Sequence, residues 1–159
     1  MELRRGVGIV LLNEQRRVFV GKRTSVSGGA GGSWHMPQGG LEDGEGPREG
    51  AFRELAEETG TSQATVLAEH PEWLKYFVPP RWRPASWDNR YDGQVQKWFC
   101  MRYDGDGSDL DLETHHTPEF EEWKWATVEE AIDGAIEFKR ELYPAVFAAF
   151  RTFLGTGLA

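Results

Sequence analysis

Cysteine is almost absent from this sequence, since Cys100 is the single one in 159 residues. One thiol excludes an internal disulfide framework and a cysteine-based zinc site. Long apolar runs are also missing, and no segment approaches the roughly 20 residues of a membrane span. Residues 1–17 turn polar too early for a secretory signal peptide. We therefore expect a cytoplasmic protein that does not associate with membranes.

The sequence does contain enough apolar material for a core. Hydrophobic residues make up 39% of the chain, and it has seven Trp and nine Phe. This content argues against a disordered chain. The length fits one compact domain better than two, so we expect a single domain over residues 1–159. A chain of this size buries enough surface to fold without disulfides or an obligate protein partner.

Charge is unevenly distributed along the chain. The net charge of −8 disfavours sequence-blind binding to DNA or to an anionic membrane. Residues 75–102 nevertheless carry six basic and two acidic residues together with seven aromatic ones, whereas residues 104–122 carry eight acids and no Lys or Arg. A basic, aromatic region in an acidic protein favours an anionic ligand that bears rings. The alternative is that the rings are core and the charges are solvated.

Local patterns predict a mixture of strands and helices. Strands are expected at residues 6–12, 17–22, 64–69, 73–78, 94–103 and 120–126, the first two forming a hairpin. Helices are expected over residues 47–58 with Gly60 past the end, after a capping box at Thr127, and in the last segment with Leu142, Val146, Phe150 and Phe153 on one face. The elements do not alternate regularly. This order predicts an α/β or α+β sandwich with a mixed β-sheet between helices.

The first predicted helix carries an unusual acidic face. Glu54, Glu57 and Glu58 are spaced i, i+3 and i+4, so they lie within one narrow arc and repel each other. A bound divalent cation would supply the missing positive charge, and oxygen ligands suit Mg²⁺ or Mn²⁺. The alternative is an ordinary solvated acidic face.

The segment around this helix resembles the signature of a known family. Gly39, five residues, Glu45, seven residues and then RELAEETG over residues 53–60 match the Nudix box, G-x5-E-x7-R-E-U-x-E-E-x-G-U, where U is aliphatic. Thr61 departs from the pattern, and we expect weaker packing behind the helix there. The resemblance implies the Nudix fold with its loop–helix–loop motif. It also implies hydrolysis of a nucleoside diphosphate linked to another group, with Mg²⁺ or Mn²⁺ as cofactor.

The resemblance implies roles for the residues of the box. The metal site would comprise Gly39, Glu54, Glu57 and Glu58, and one of the glutamates would deprotonate the attacking water. Arg53 lies four residues from Glu57 and would hold that carboxylate in place. Glu45 would be structural or would support the ligands. Gly39 and Gly60 would permit tight turns at the two ends of the motif.

Four further blocks are similar to one branch of the family. They are SWHMPQGG at residues 33–40, GQVQKWF at 93–99, TPEF with WKW at 117–125, and FKR at 138–140. The branch comprises bacterial RNA pyrophosphohydrolases and the related dinucleoside polyphosphate hydrolases. The resemblance implies that Glu119 is a fourth carboxylate near the metals and a candidate general base, whereas the sequence by itself makes it a loop acid beside Pro118.

The branch implies a substrate and the residues that would bind it. The substrate would be a nucleotide or the 5′-triphosphate end of RNA, from which pyrophosphate is removed, or diadenosine tetraphosphate. Lys97 and Lys139 are the expected phosphate contacts. Arg23 and Ser33 would add contacts, and Tyr76 and Phe138 would stack on a base or line its pocket. Residues 27–32 and 79–92 depart from the bacterial RNA enzymes, which leaves two alternatives open: a general nucleotide or alarmone hydrolase, and a catalytically silent sensor.

Overall fold

The computed structural model describes residues 2–24, 32–112 and 120–155. Its strands and helices are β1 (Glu2–Leu12), β2 (Val18–Arg23), β3 (Trp34–His35), β4 (Gln38–Gly40), α1 (Pro47–Thr59), β5 (Ala64–Phe77), β6 (Tyr91–Tyr103), β7 (Phe120–Ala126), α2 (Val128–Gly134) and α3 (Leu142–Ala149). Short 3-10 helices lie at Pro80–Trp82, Ala85–Trp87, Glu137–Lys139 and Arg151–Phe153. Within these described ranges, no helix is long and apolar enough to cross a membrane.

One mixed sheet organises the molecule, in the order β3-β2-β1-β6-β5, with β4 paired to β1 and β7 paired to β2. Only β1 and β6 are parallel among these pairs. Strand β1 is central because residues 7–12 are a continuous apolar run, all of them buried, as expected for a strand covered on both faces. The predicted mixed sheet between helices is confirmed.

Two apolar clusters lie on opposite faces of the sheet because successive strand side chains alternate. On one face Ile9, Phe99 and Leu55 of helix α1 belong to the same buried cluster. On the other face Val10, Trp98, Cys100, Tyr143 and Val146 pack together, the last two from α3. The sheet therefore separates helix α1 from the C-terminal helices.

The predicted hairpin at the N-terminus is only partly what the structure contains. The turn forms as expected, and the Asn13 side chain accepts hydrogen bonds from the backbone N–H groups of Gln15 and Arg17 at 3.0 and 2.9 Å. Strand β2 pairs with β1 only at its end, where Leu12 faces Val18. The long partner of β1 is β6, which begins about 90 residues later in the chain. The local sequence pattern predicts turns and strands, but it does not predict which distant strand pairs with β1.

The two strands predicted over residues 64–78 form one continuous strand, β5. Its pairing with β6 shifts register between Val66 and Ala68 and again between Glu69 and Trp73, and Pro71 lies within the second irregularity. Such bulges accommodate a proline without ending a strand. The long loop predicted over residues 79–92 contains two short 3-10 helices and passes into β6 at Tyr91.

The capping box predicted at Thr127 is confirmed, whereas the last predicted helix ends at Ala149, before Phe150 and Phe153. Thr127 caps α2 with a complete capping box, in which its side chain and that of Glu130 bond each other's backbone N–H groups. Leu142 and Val146 of α3 are buried, as is Phe150 just past its end, and Phe153 packs against the same core from the following 3-10 helix.

Candidate active site

Helix α1 begins and ends where its sequence predicts. Pro47 occupies the first turn, where its missing N–H costs nothing, and Gly60 ends the helix in the left-handed region with φ of 86°. Leu55 and Ala51 are fully buried against the sheet. This packing fixes the helix beside strand β4, so that the acidic residues of α1 lie next to the segment that contains Gly39.

Arg53 is the centre of the acidic cluster. Its guanidinium donates two hydrogen bonds to Glu45, at 2.7 and 2.8 Å, and one to Glu54 at 2.8 Å. It also donates to the carbonyl oxygen of Gly40 at 2.8 Å and approaches Glu57 at 3.3 Å. The guanidinium therefore joins the loop before the helix, strand β4 and the helix itself. The predicted contact between Arg53 and Glu57 is present, but its hydrogen bonds, at 3.3 and 3.4 Å, are the longest that Arg53 donates.

Glu45 is held by hydrogen bonds from Arg53 and from the backbone of its own loop. The paired hydrogen bonds from Arg53 lower the pKa of the Glu45 carboxyl from 4.5 to about 2. The same carboxylate accepts a hydrogen bond from the backbone N–H of Glu42 at 3.0 Å, which closes the loop that precedes α1. Glu45 therefore acts on the loop and on Arg53.

Glu54 lies in a space that Gly39 leaves open. A Cβ atom at position 39 would come within 2.0 Å of the carboxyl carbon of Glu54. Burial raises the pKa of this carboxyl to about 7, against the opposing effect of Arg53 and with a smaller contribution from the charge of Glu57. Gly39 is thus required because a carboxylate packs directly on its backbone.

A basic residue that the sequence reasoning missed approaches the same point. A Cβ at Gly40 would come within 2.2 Å of the guanidinium carbon of Arg4, and the charge of Arg4 acts on Glu54. No local signal marks Arg4, because it reaches the site only through the pairing of β1 with β4.

Glu58 and Glu57 complete the acidic face of α1. Glu58 is buried, and it accepts a 2.6 Å hydrogen bond from the backbone N–H of Gln38 in β4. The Glu57 side chain is 36% exposed. Within residues 2–24, 32–112 and 120–155, no three acidic or histidine side chains converge as a closed set of metal ligands. The donors are nevertheless suited to a hard divalent cation, since they are carboxylate oxygens carried by neighbouring turns of α1 and one of them is buried against a glycine.

Thr61 does more than replace an aliphatic residue. It is fully buried, and its hydroxyl donates to the carboxylate of Asp109, which also accepts from Tyr103 and from Gln63. The backbone N–H of Asp111 then bonds the carbonyl of Thr59 at 2.8 Å. A polar network therefore ties the end of α1 to the loop after β6, and the expected loss of packing is compensated by hydrogen bonds.

Five of the six predicted nucleotide-binding residues gather on the other face of the sheet, around His35. Lys139 is 2% exposed, and its ammonium group donates to Nδ1 of His35 at 3.0 Å. The Nε2 atom of His35, which then carries the proton, donates to the hydroxyl of Ser33 at 2.7 Å. Burial, reinforced by the charges of Lys139 and Arg23, lowers the pKa of His35 well below 6.5. His35 is therefore neutral and joins these residues.

An aromatic pair borders this group. Tyr76 and Phe138 stack with their ring centroids 6.0 Å apart, and the ammonium of Lys139 lies 5.6 Å from the Tyr76 ring. Tyr76 is buried, which raises its pKa to about 12. The structure thus places Arg23, Ser33, Tyr76, Phe138 and Lys139 in one region.

A row of glutamines lies next to the aromatic pair and was not identified from the sequence. Gln96 donates to Gln38 at 2.9 Å and to Gln94 at 3.1 Å, and it accepts from the indole of Trp98 at 3.1 Å. Gln94 and Gln96 are two positions apart in β6, and residues at this spacing lie on the same face of a strand. This spacing was the sequence signal that could have identified them.

Lys97 lies apart from this group. Its side chain is 11% exposed and forms an ion pair of 3.3 Å with Glu69, on the face of the sheet that carries α1. Glu119 lies outside the described residues, immediately before Phe120 at the start of β7. The roles proposed for both remain predictions.

Comparison with known proteins identifies relatives that match nearly the whole chain. The NUDIX domain family matches residues 2–146. An RNA pyrophosphohydrolase of Dinoroseobacter shibae is 46% identical over 153 residues, which cover 95% of this chain and 93% of that protein. An RNA pyrophosphohydrolase of a Wolbachia species from Brugia malayi is 43% identical over 144 residues, covering 91% of this chain and 87% of that protein.

The fold is also found among solved structures. The Ap4A hydrolase of C. elegans, in a binary complex, has a TM-score of 0.66 and is 19% identical, covering 94% of this chain and 98% of that one. The MutT protein of Methanosarcina mazei has a TM-score of 0.69 at 18% identity, covering 93% and 96%. At these identities the likeness establishes the fold alone.

Proposed function

This chain belongs to the Nudix family and is a pyrophosphohydrolase, and we propose that its main substrate is the 5′-triphosphate end of RNA. In the proposed reaction a water oxygen bonds to phosphorus, one phosphoanhydride bond breaks, and pyrophosphate leaves. The RNA keeps a 5′-monophosphate. The observation that carries the proposal is the identity of 46% over nearly the full length of a protein named for this activity.

The cofactor is proposed to be Mg²⁺ or Mn²⁺. Nudix hydrolases in general use divalent metals, and the acidic face of α1 offers only oxygen donors, which both ions accept. The proposed ligands are Glu54, Glu57 and Glu58, with Gly39 at the same site. When bound, the cation would neutralise charge on the polyphosphate, activate the attacking water and orient the phosphate oxygens.

Other residues of the chain are proposed to prepare this site. Arg53 orients Glu54 and Glu57 from one side, and the Gln38 backbone N–H orients Glu58 from the other. Glu45 supports this arrangement by pairing with Arg53, and Gly60 ends the helix that carries the acids. Glu119 is proposed as the general base that accepts the proton of the attacking water.

The substrate is proposed to extend from the acidic face to the residues around His35. Lys97 and Lys139 would contact phosphates, with Arg23 and Ser33 beside them. Tyr76 and Phe138 would line the pocket of the terminal base, since their stacked rings offer an aromatic wall next to the buried ammonium of Lys139. The support is the proximity of Arg23, Ser33, Tyr76, Phe138 and Lys139 to one another in the structure. Lys97 lies on the face that carries α1, and its role is proposed from the resemblance alone.

A direct competition tests the proposal. Purified protein with Mg²⁺ is given equal concentrations of 5′-triphosphorylated RNA and diadenosine tetraphosphate, and the products of both are followed over time. We expect pyrophosphate and 5′-monophosphorylated RNA to form first. Preferential cleavage of the dinucleotide would assign a dinucleoside polyphosphate hydrolase instead. Binding without cleavage of either would assign a sensor.

A further inference from the structure

One end of the sheet is open on the face that carries helix α1. Paired Cα atoms on neighbouring strands place their side chains on the same face. Three rows across β1, β6 and β5 therefore share that face. The rows are Leu3–Gly93–Phe77, Arg5–Val95–Lys75 and Val7–Lys97–Trp73. We call Arg5, Trp73, Lys75, Phe77 and Val95 the open face.

Among the residues that the structure describes, no apolar cluster covers the open face. Phe77 is 57% exposed and is the large hydrophobic residue left exposed among the described residues. Of residues 2–24, 32–112 and 120–155, neither core cluster includes Trp73, Phe77 or Val95. Helix α1 packs on the other end of the same face, over Ile9 and Phe99. Together with the half-buried Trp73 and Val95, Phe77 leaves apolar surface beside exposed cations, where a ligand can pack.

The charge of the open face is opposite to that of the protein. Arg5 and Lys75 are exposed, and the guanidinium carbon of Arg5 lies 4.8 Å above the Trp73 ring. Lys97 adds a third cation beside them, and Glu69 is its acidic partner. The chain as a whole carries −8. Positive charges interleaved with aromatic rings form a surface that suits single-stranded nucleic acid.

The open face is continuous with the acidic site. Gly39 pairs with Val7, Val7 pairs with Lys97, and Lys97 pairs with Trp73. The carboxyl group of Glu54 packs on Gly39 at the start of this row. Three strand spacings separate Gly39 from Trp73, or about 14 Å. Strand β5 is the edge of the sheet, and its consecutive residues Tyr76 and Phe77 lie on opposite faces. An RNA whose terminal base lies at Tyr76 therefore reaches the open face by passing around this edge.

We propose that the open face binds the single-stranded RNA that follows the 5′ end. Phe77 stacks on a base, and Arg5 and Lys75 pair with backbone phosphates. The inference rests on the proposed function, since it adds a second contact region for the same substrate. A mononucleotide or dinucleoside polyphosphate is too short to need that region.

Binding of a non-hydrolysable strand tests the open face directly. The probe is a fluorescent ten-nucleotide RNA with a 5′-hydroxyl end, whose anisotropy is followed as wild type, Phe77→Ala or Lys75→Ala is added. Stacking and phosphate contacts of this kind predict a loss of affinity of about five-fold or more for each variant. The matched control is Arg151→Ala, which removes an exposed cation after α3, on the other face. Equal melting temperatures show that all variants are folded.

Hydrolysis of two triphosphorylated RNAs separates this inference from the proposed function. For Phe77→Ala and Lys75→Ala we expect kcat/KM to fall several-fold on a ten-nucleotide RNA and to stay unchanged on a dinucleotide. If all variants cleave both the ten-nucleotide RNA and the dinucleotide at wild-type rates, the open face does not bind RNA, but the proposed function stands. Failure of the wild type to cleave either RNA overturns the proposed function.

Two further results would also overturn the open face. One is a wild type that does not bind the 5′-hydroxyl strand at low salt. The other is a wild type that sediments as a dimer and becomes a monomer in Phe77→Ala with RNA binding unchanged, which would assign the surface to a second copy of the chain.

Discussion

The guanidinium of Arg53 pairs with Glu45 through two hydrogen bonds of 2.7 and 2.8 Å, closer than any contact it makes with Glu57. The two residues are eight positions apart, so the pair closes the loop before α1 onto the helix. A bidentate pair fixes direction as well as distance. The orientation of the acidic face therefore depends on a residue that is not itself proposed as a metal ligand.

The first prediction concerns Glu45 and pH. Its pKa is about 2 in the folded protein, compared with 4.5 in an unfolded chain. A lowered pKa contributes stability that is complete above the unfolded value and is lost as the pH falls towards the folded value. We expect Glu45→Gln to lower the free energy of unfolding at pH 7, and the difference from wild type to shrink between about pH 4.5 and pH 2. Urea denaturation across this range measures it.

The control for this experiment is Glu49→Gln, because Glu49 is an exposed acid in the first turn of the same helix. Its difference from wild type should stay small at every pH. A Glu45→Gln difference that does not vary with pH would contradict the pairing as the source of the stability.

The second prediction concerns the proposed metal ligands. Glu57→Gln and Glu58→Gln keep the shape of the side chain and remove its charge. We expect turnover with Mg²⁺ to fall by a few orders of magnitude in each, because charge stabilisation at the polyphosphate is lost. Steady-state kinetics measure turnover, and calorimetry measures Mg²⁺ binding. Glu129→Gln, an exposed acid of α2, is the control. Near-normal turnover in Glu57→Gln would remove that residue from the site.

The third prediction separates the two roles of Lys139. The residue is 2% exposed and donates to His35, so truncation leaves a cavity and an unpaired ring nitrogen. We expect Lys139→Ala to destabilise the fold by about 2–4 kcal/mol and also to lower kcat/KM. Lys139→Met fills the volume, so it should recover much of the stability while kcat/KM stays low. Full activity in a folded Lys139→Met protein would contradict a phosphate contact.

The fourth prediction concerns Lys97. Loss of a charge-assisted contact to phosphate should lower kcat/KM of Lys97→Ala about tenfold or more. The side chain is only 11% exposed, so dissolved ions screen it poorly and the deficit should persist at high ionic strength. The control is Lys22→Ala. It removes a lysine of β2 that is likewise paired with an acid, Glu122, at 3.4 Å. Equal kcat/KM for wild type and Lys97→Ala at low salt would place Lys97 outside the substrate path.

The fifth prediction follows from the buried neutral His35. Its folded pKa lies well below 6.5, so the unfolded chain takes up a proton at a pH where the folded protein does not. Stability must then fall as the pH is lowered from about 6.5. We expect the difference in unfolding free energy between wild type and His35→Gln to decrease from pH 7 to pH 5. A difference that is constant over this range would contradict a lowered pKa of His35 in the folded protein.

The local features of the site were predictable from the sequence, because they depend on neighbours along the chain. Pro47 and Gly60 bound α1 as expected, and the spacing of Glu54, Glu57 and Glu58 placed them on one face. The packing of Glu54 on Gly39 was not predictable, since it requires β4 to lie beside β1.

Burial of polar groups was the other feature that sequence reasoning did not predict. Lys139 reads as a surface cation in the sequence, but it is enclosed with His35 and Tyr76. The partner of Thr61, Asp109, lies 48 positions away, and no pattern links the two. Such contacts form between segments that tertiary structure brings together.

The parallel pairing of β1 with β6 has a consequence for synthesis of the protein. Residues 39–60 contain the whole Nudix box, yet the helix in that segment packs on a strand whose long partner ends at Tyr103. A nascent chain on the ribosome holds the complete box well before β6 has emerged. About 40 further residues must therefore be translated before the sheet on which the acidic helix packs is complete. Assembly of the site is limited by contacts far apart in the sequence, although its signature is one of the most local in the chain.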